Sequence, residues 1–147
     1  MNLEERLNED MKQAMKAGDK FRLQTIRMVR SSIKNQEIEL RRPLDDNELI
    51  QVVSRELKQR RDSLQDFQRG GREDLVAGVS AEIDIISQYL PQQLTEEEIK
   101  DIVMQTMQET GASSKADLGK LMGALMPKVK GRADGKLVNQ LVQQLLS

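Results

Sequence analysis

The chain has 147 residues with 23 basic and 24 acidic side chains, and it contains no His, Cys or Trp. Those absences exclude Ser–His–Asp and Cys–His nucleophile systems, imidazole metal sites, disulfides, and zinc or iron–sulfur centres held by thiolates. A net charge of -1 argues that the chain as a whole is not a basic nucleic-acid binder, and Phe21, Phe67 and Tyr89 as its aromatics argue against a base-stacking platform.

Apolar spacing predicts helices nearly everywhere. Leu3, Leu7, Met11 and Met15 step by four, and Gly18 stops that helix. Asp19 is placed to cap a second helix carrying Phe21, Ile26, Val29, Ile33 and Leu40, which Pro43 should end. Asp45 or Asp46 then caps a third, with Leu49, Ile50, Val53, Leu57, Leu64 and Phe67 on one side, until Gly70-Gly71. From Asp46 to Arg69 it would span about 36 Å. A fourth helix sets Val76, Val79, Ile83, Ile86 and Leu90 at alternating intervals of three and four, a seam for another helix.

Pro91-Gln92-Gln93-Leu94 reads as a boundary. Thr95 with Glu98 forms a capping box for a fifth helix ending at Gly111, and Ser114 with Asp117 resembles the same device. The sixth helix carries Leu118, Leu121, Met122 and Leu125 and should end at Pro127. A loop through Ala133 leads to Asp134, the expected N-cap of a last helix with Leu137, Val138, Leu141, Val142 and Leu145. The expected fold is therefore all-α. It has a four-helix bundle-like domain over residues 1–90, a linker at 91–94, and a three-helix unit over 95–147. The start is charged from Glu4 onward, and the most apolar stretch, residues 121–126, is too short to span a bilayer. A soluble, cytoplasmic protein is expected.

The near balance of charge conceals segregation. Residues 20–42 hold seven bases and two acids, a net +5; residues 112–147 hold six bases and two acids, a net +4. Acids gather in the first helix and at helix starts, where the helix dipole accounts for them. Arg27, Arg30 and Lys34 fall on one side of the second helix, which by itself reads as a solvated face.

The densest functional candidate spans residues 119–136. Lys128, Lys130, Arg132 and Lys136 surround the start of the last helix, with Lys120 peripheral. Gly131 and Gly135 would shape the loop, and Gly123 would let a helix approach closely. Such an arrangement suits a phosphate. Asp134 would already occupy the helix start, so the phosphate should meet side chains instead. An ordinary connector with turn glycines explains the pattern equally well. Arg60, Arg61 and Arg72, flanking the turn between the third and fourth helices, make a weaker basic set. Its alternative is pairing within the bundle, as of Lys58 with Asp62. Met122 and Met126 would line a partner groove or fill the core.

No catalytic residue stands out. Glu82 and Asp84 come nearest to an apolar setting but read as outward-facing. Asp45-Asp46 is too common a pair to indicate Mg²⁺, so no metal or cofactor is expected, and no phosphate-binding glycine loop is present.

Several stretches resemble a known family. Leu118-Gly119-Lys120-Leu121-Met122-Gly123, residues 126–135 (MPKVKGRADG) and Val138 look like the signature of the GatB/YqeY tail domain. Lys58-Gln59-Arg60-Arg61-Asp62-Ser63, Gly71-Arg72-Glu73-Asp74-Leu75 and Tyr89-Leu90-Pro91-Gln92-Gln93-Leu94 resemble the stand-alone YqeY protein. The resemblance implies two helical parts. It also implies kinship with the tail of the B subunit of the glutamine-dependent Asp/Glu-tRNA amidotransferase, where the domain helps to hold tRNA and the chemistry lies elsewhere. Family labels carry "carbon–nitrogen ligase, glutamine as amido donor"; no residue pattern here supports that activity. The expectation is a non-catalytic tRNA-binding accessory protein. The alternatives are a module docking an aminoacyl-tRNA synthetase or amidotransferase subunit, and an amidotransferase-related enzyme.

Overall fold

Side-chain oxygens on backbone N–H groups mark most helix starts. In the computed structural model, which describes residues 1–147, they open α1 (Leu3–Ala17), α2 (Lys20–Leu40), α3 (Asp46–Arg69), α5 (Glu96–Thr110) and α7 (Gly135–Leu145). The remaining helices are α4 (Glu73–Ser87) and α6 (Leu118–Val129), the latter preceded by a 3-10 turn, Lys115–Asp117. There is no strand, and no helix is long and apolar enough to cross a membrane. Asp45, not Asp46, caps α3: its Oδ1 accepts from the Glu48 N–H at 2.8 Å, while Glu48 accepts in return from the Asp45 N–H at 3.1 Å. Thr95 and Glu98 make the same reciprocal pair.

Two helix ends depart from expectation. α2 stops at Leu40, where Arg41 takes the left-handed conformation (φ 59°) and donates its N–H to the Glu37 carbonyl. The chain has turned before Pro43 is reached. α6 runs past Pro127 to Val129. Proline removes one N–H and crowds the carbonyl four residues back, which belongs to exposed Gly123. Burial of Val129 (1% exposed) and the Lys130 N–H bond to the Met126 carbonyl at 2.9 Å hold the last turn.

The helices fall into two compact units, Met1–Pro91 with α1 to α4 and Gln92–Ser147 with α5 to α7. Leu7, Ile26, Val53, Leu57 and Ile86 centre the core of the first; Val103, Leu121, Leu125, Val138 and Leu141 centre that of the second. Phe21, one of the apolar residues that mark α2 in the sequence, is 41% exposed, because it lies about a third of a turn away from the Ile26–Val29–Ile33 stripe.

The first unit also buries charge. Glu56 and Arg60 are each 9% exposed. Arg60 pairs with Glu56 through Nη1 and with Glu82 through Nε at 3.1 Å; Ser32 donates to Glu56 at 2.5 Å. Glu82 thus faces inward, contrary to expectation, whereas Asp84 is exposed. Lys58 and Asp62 are both exposed and form no ion pair. Removing one member of a buried pair strands the other charge. Arg60→Ala is expected to destabilise the first unit by about 3 kcal/mol in denaturant unfolding.

Tyr89, 3% exposed, donates its hydroxyl to Asp10 Oδ2 at 2.5 Å beneath the Arg6 guanidinium, which lies 5.2 Å from the ring centre. Burial first, then the Asp10 carboxylate, pushes its pKa up to about 12. A raised phenol pKa favours the neutral form in the folded state. Its stabilisation is complete below about pH 10 and is lost as pH rises towards 12. Tyr89 is the single tyrosine in a chain without Trp, so phenolate absorbance reads it cleanly. The native midpoint should lie near pH 12, falling to about 10 in denaturant.

Candidate nucleic-acid interface

The basic stretch of the second unit is a tight turn between α6 and α7. Gly131 has φ 75°, a conformation that a side chain disfavours. The Arg132 N–H returns to the Val129 carbonyl at 2.9 Å. The turn is then clamped from outside. Gln93 donates Nε2 to the Gly131 carbonyl at 2.8 Å, Leu94 donates its N–H to the Arg132 carbonyl at 2.8 Å, and Arg132 Nε reaches the Gln92 carbonyl at 3.3 Å. Residues 92–94, read from sequence as linker, therefore build the turn. No sequence spacing couples Gln93 to Gly131, because the two are 38 positions apart.

The candidate cations separate into distinct roles. Lys130 and Lys136 are exposed and enter no ion pair. Arg132 is half-buried and anchored, and its charge also helps to hold the Glu98 carboxyl below its usual range, after the larger effect of the Thr95 N–H and hydroxyl. Lys128 is engaged inside the unit. Its Nζ donates to Glu109 at 2.7 Å and to the fully buried Thr106 hydroxyl at 2.9 Å, tying α6 to α5. Lys120 stands in the first turn of α6 beside Asp117, about 15 Å along the chain axis from Lys130. Asp117 itself is held below its usual range by the backbone N–H groups of Ser113 and Ser114.

Asp134 Oδ1 accepts from the Lys136 N–H at 3.2 Å, so a carboxylate already sits at the α7 start. An anion here would meet side chains, Lys130 and Lys136 foremost. The glycines differ as well. A Cβ at Gly123 or Gly135 would meet nothing within 4 Å, and neither has positive φ. No helix of this chain packs closely on Gly123, and Gly135 imposes no turn; within the chain, Gly131 alone of the three needs to be glycine.

The weaker set is dispersed. Arg60 is buried against two carboxylates, which leaves its guanidinium unable to reach a phosphate. Arg72 is exposed but forked onto Asp74 at 3.1 and 3.2 Å; Arg61 is half-buried on α3. Met122 packs against the second core and Met126 is 37% exposed. Methionines at another place, Met104 and Met107 on α5, line a shallow pocket of about 400 Å³ with Gly111 and Ala112. No group of three or more acids is placed to hold a metal ion. Gly131→Ala is expected to cost about 1–2 kcal/mol, the left-handed penalty, in thermal unfolding. Gly135→Ala, at an open helical position, should cost nothing or stabilise slightly.

Similar proteins place this chain. "Altered inheritance of mitochondria protein 41, mitochondrial" of Lachancea thermotolerans is 42% identical over 87 residues, 58% of this chain and 46% of that protein. Its namesake in Kluyveromyces lactis is 43% identical over 84 residues, covering 56% and 45% respectively. That of Saccharomyces cerevisiae S288c is 40% identical over 87 residues, covering 58% and 47%. The chain thus spans about half the length of the curated relatives it matches, and their names assign those proteins to mitochondria. The family described as Yqey-like protein matches residues 4–146. With the match running from α1 into α7, the chain belongs to the Yqey-like protein family.

Proposed function

We propose that this chain is a tRNA-binding accessory protein without catalysis of its own, gripping the phosphate backbone through the turn between α6 and α7. The observation that carries the reading is a pre-organised turn presenting Lys130 and Lys136 without carboxylate partners, with Arg132 anchored between them. A clamped turn loses little conformational freedom on binding. The scarcity of aromatics favours recognition of backbone and shape over unstacked bases. The resemblance to an amidotransferase tail domain points to tRNA. Lys128 serves the fold in this reading, and Lys120 stays peripheral. Cytoplasm and mitochondrion both contain tRNA, so the proposal holds for the cytoplasmic expectation and for a mitochondrial location like that in the relatives' names.

A second reading has one observation in its favour. Met104, 51% exposed beside the α5 pocket, is the adaptable kind of side chain that docks a partner protein, here a synthetase or amidotransferase subunit. Glutamine-dependent amidation is the reading we set aside.

The test is tRNA affinity against salt for the wild type, the Lys130/Arg132/Lys136→Ala triple and Lys128→Ala. The triple should flatten the log–log slope by about 2 to 3, at roughly 0.7–0.9 per phosphate contact. Lys128→Ala should lower thermal stability and leave the slope unchanged. A triple variant with wild-type affinity and slope would remove the turn from tRNA binding.

A further inference from the structure

α2 carries its charges against its own dipole. Acids at a helix N-terminus are favourable, and α1, α3, α4 and α5 each have them in the first turn. α2, like α6 and α7, has none there beyond its Asp19 cap; Lys20 and Arg22 occupy that turn, while its acids, Glu37 and Glu39, come near the opposite end. Residues 20–36 contain five bases and no acid. Arg27 with Arg30, and Arg30 with Lys34, are like-charge neighbours at spacings of three and four, which repel. Apart from the Asp19 cap, helix formation does not account for this row of bases.

The same residues form an ordered surface. Lys20, Arg27 and Lys34 recur every seven positions and so share one side of the helix, about 21 Å from first to last. Arg30 flanks them, and exposed Gln24 and Ser31 lie between. This side is opposite the buried Ile26, Val29 and Ile33. All four cations are exposed, and none enters an ion pair. Arg30 rests on the Met11 sulfur at 3.0 Å, and Arg22 is drawn off to Asp10 at 3.8 Å.

We infer that this face of α2 binds the phosphate backbone of double-helical RNA, as a contact separate from the turn between α6 and α7. Unpaired cations interleaved with neutral hydrogen-bonding side chains are the chemistry of phosphate contact. The stripe holds no aromatic on which single-stranded bases would stack. Exposed Phe21 and Met28 lie about a quarter of a turn to one side of the Lys20–Arg27–Lys34 line and exposed Ile38 beyond its end, so the line itself has no apolar side chain at its centre, where a protein interface seats one. The helix holds the backbones of these cations at fixed spacing, so that only their side chains are ordered against the phosphates of a duplex.

The experiment uses the full chain and a labelled RNA duplex of about 20 base pairs, titrated across salt. The proteins are wild type, Arg27/Arg30/Lys34→Gln, Lys130/Arg132/Lys136→Ala, and the combination. The α2 variant should bind at least about tenfold more weakly at low salt, its log–log slope flatter by roughly 2. Its melting temperature should hold or rise, since opposed and repelling charges are removed; a fall would assign the cations to the fold and overturn the inference. Unchanged affinity and slope, or a wild type that does not bind the duplex at low salt, would overturn it too. So would lost self-association in sedimentation with duplex binding intact, which would assign the stripe to an acidic protein face. If the turn variant alone loses binding, the turn reading stands and α2 falls; if the α2 variant alone does, the outcome is reversed.

Discussion

Leu94 donates its backbone N–H to the Arg132 carbonyl at 2.8 Å, and Gln93 reaches the neighbouring Gly131 carbonyl at the same distance. These bonds join the segment before α5 to the turn after α6. Without them the turn's carbonyls would face solvent and residues 130–133 would sample many conformations. With them, a left-handed glycine and an anchored arginine hold one shape, and the lysines on either side project from a fixed base. The three-helix unit is small, so such local closures supply a large share of its definition.

Charge in this protein is sorted by what surrounds it. Arg60 is held by Glu56 and Glu82, with the Ser32 hydroxyl donating to Glu56, and its removal would leave buried carboxylates. Lys128 is drawn to Glu109 and Thr106 and becomes a tie between helices. Arg72 is forked onto Asp74 at the start of α4. Lys130, Lys136 and, on α2, Lys20, Arg27, Arg30 and Lys34 have no such partner. Binding capacity follows from that remainder rather than from the total of basic residues, and a net charge of -1 hides it because acids are placed at other helix starts.

Helix boundaries were legible because their causes are local. Asp19, Asp45, Thr95 and Asp134 cap within three residues, and Gly18 and Gly111 turn left-handed where the apolar period ends. The exceptions are instructive. α6 overruns Pro127 because burying Val129 outweighs one missing hydrogen bond, and α2 closes early on Arg41. The first depends on the buried core under Val129, which the local pattern does not contain; the second is a left-handed Arg41 bonded back to Glu37, at a position where no glycine signals it.

The sequence by itself determined that the chain is helical, where most helices begin, and that a basic, glycine-bearing stretch precedes the last one. These follow from periodicity and from hydrogen bonds spanning three or four residues. Only the tertiary structure decided which cations are free. Arg60 with Glu82 is a pair 22 positions apart, Lys128 with Glu109 one of 19, and Gln93 with Gly131 one of 38. Pairings at that range are set by how helices pack, and packing uses the buried stripes. Nothing in the spacing of the charged residues themselves encodes them.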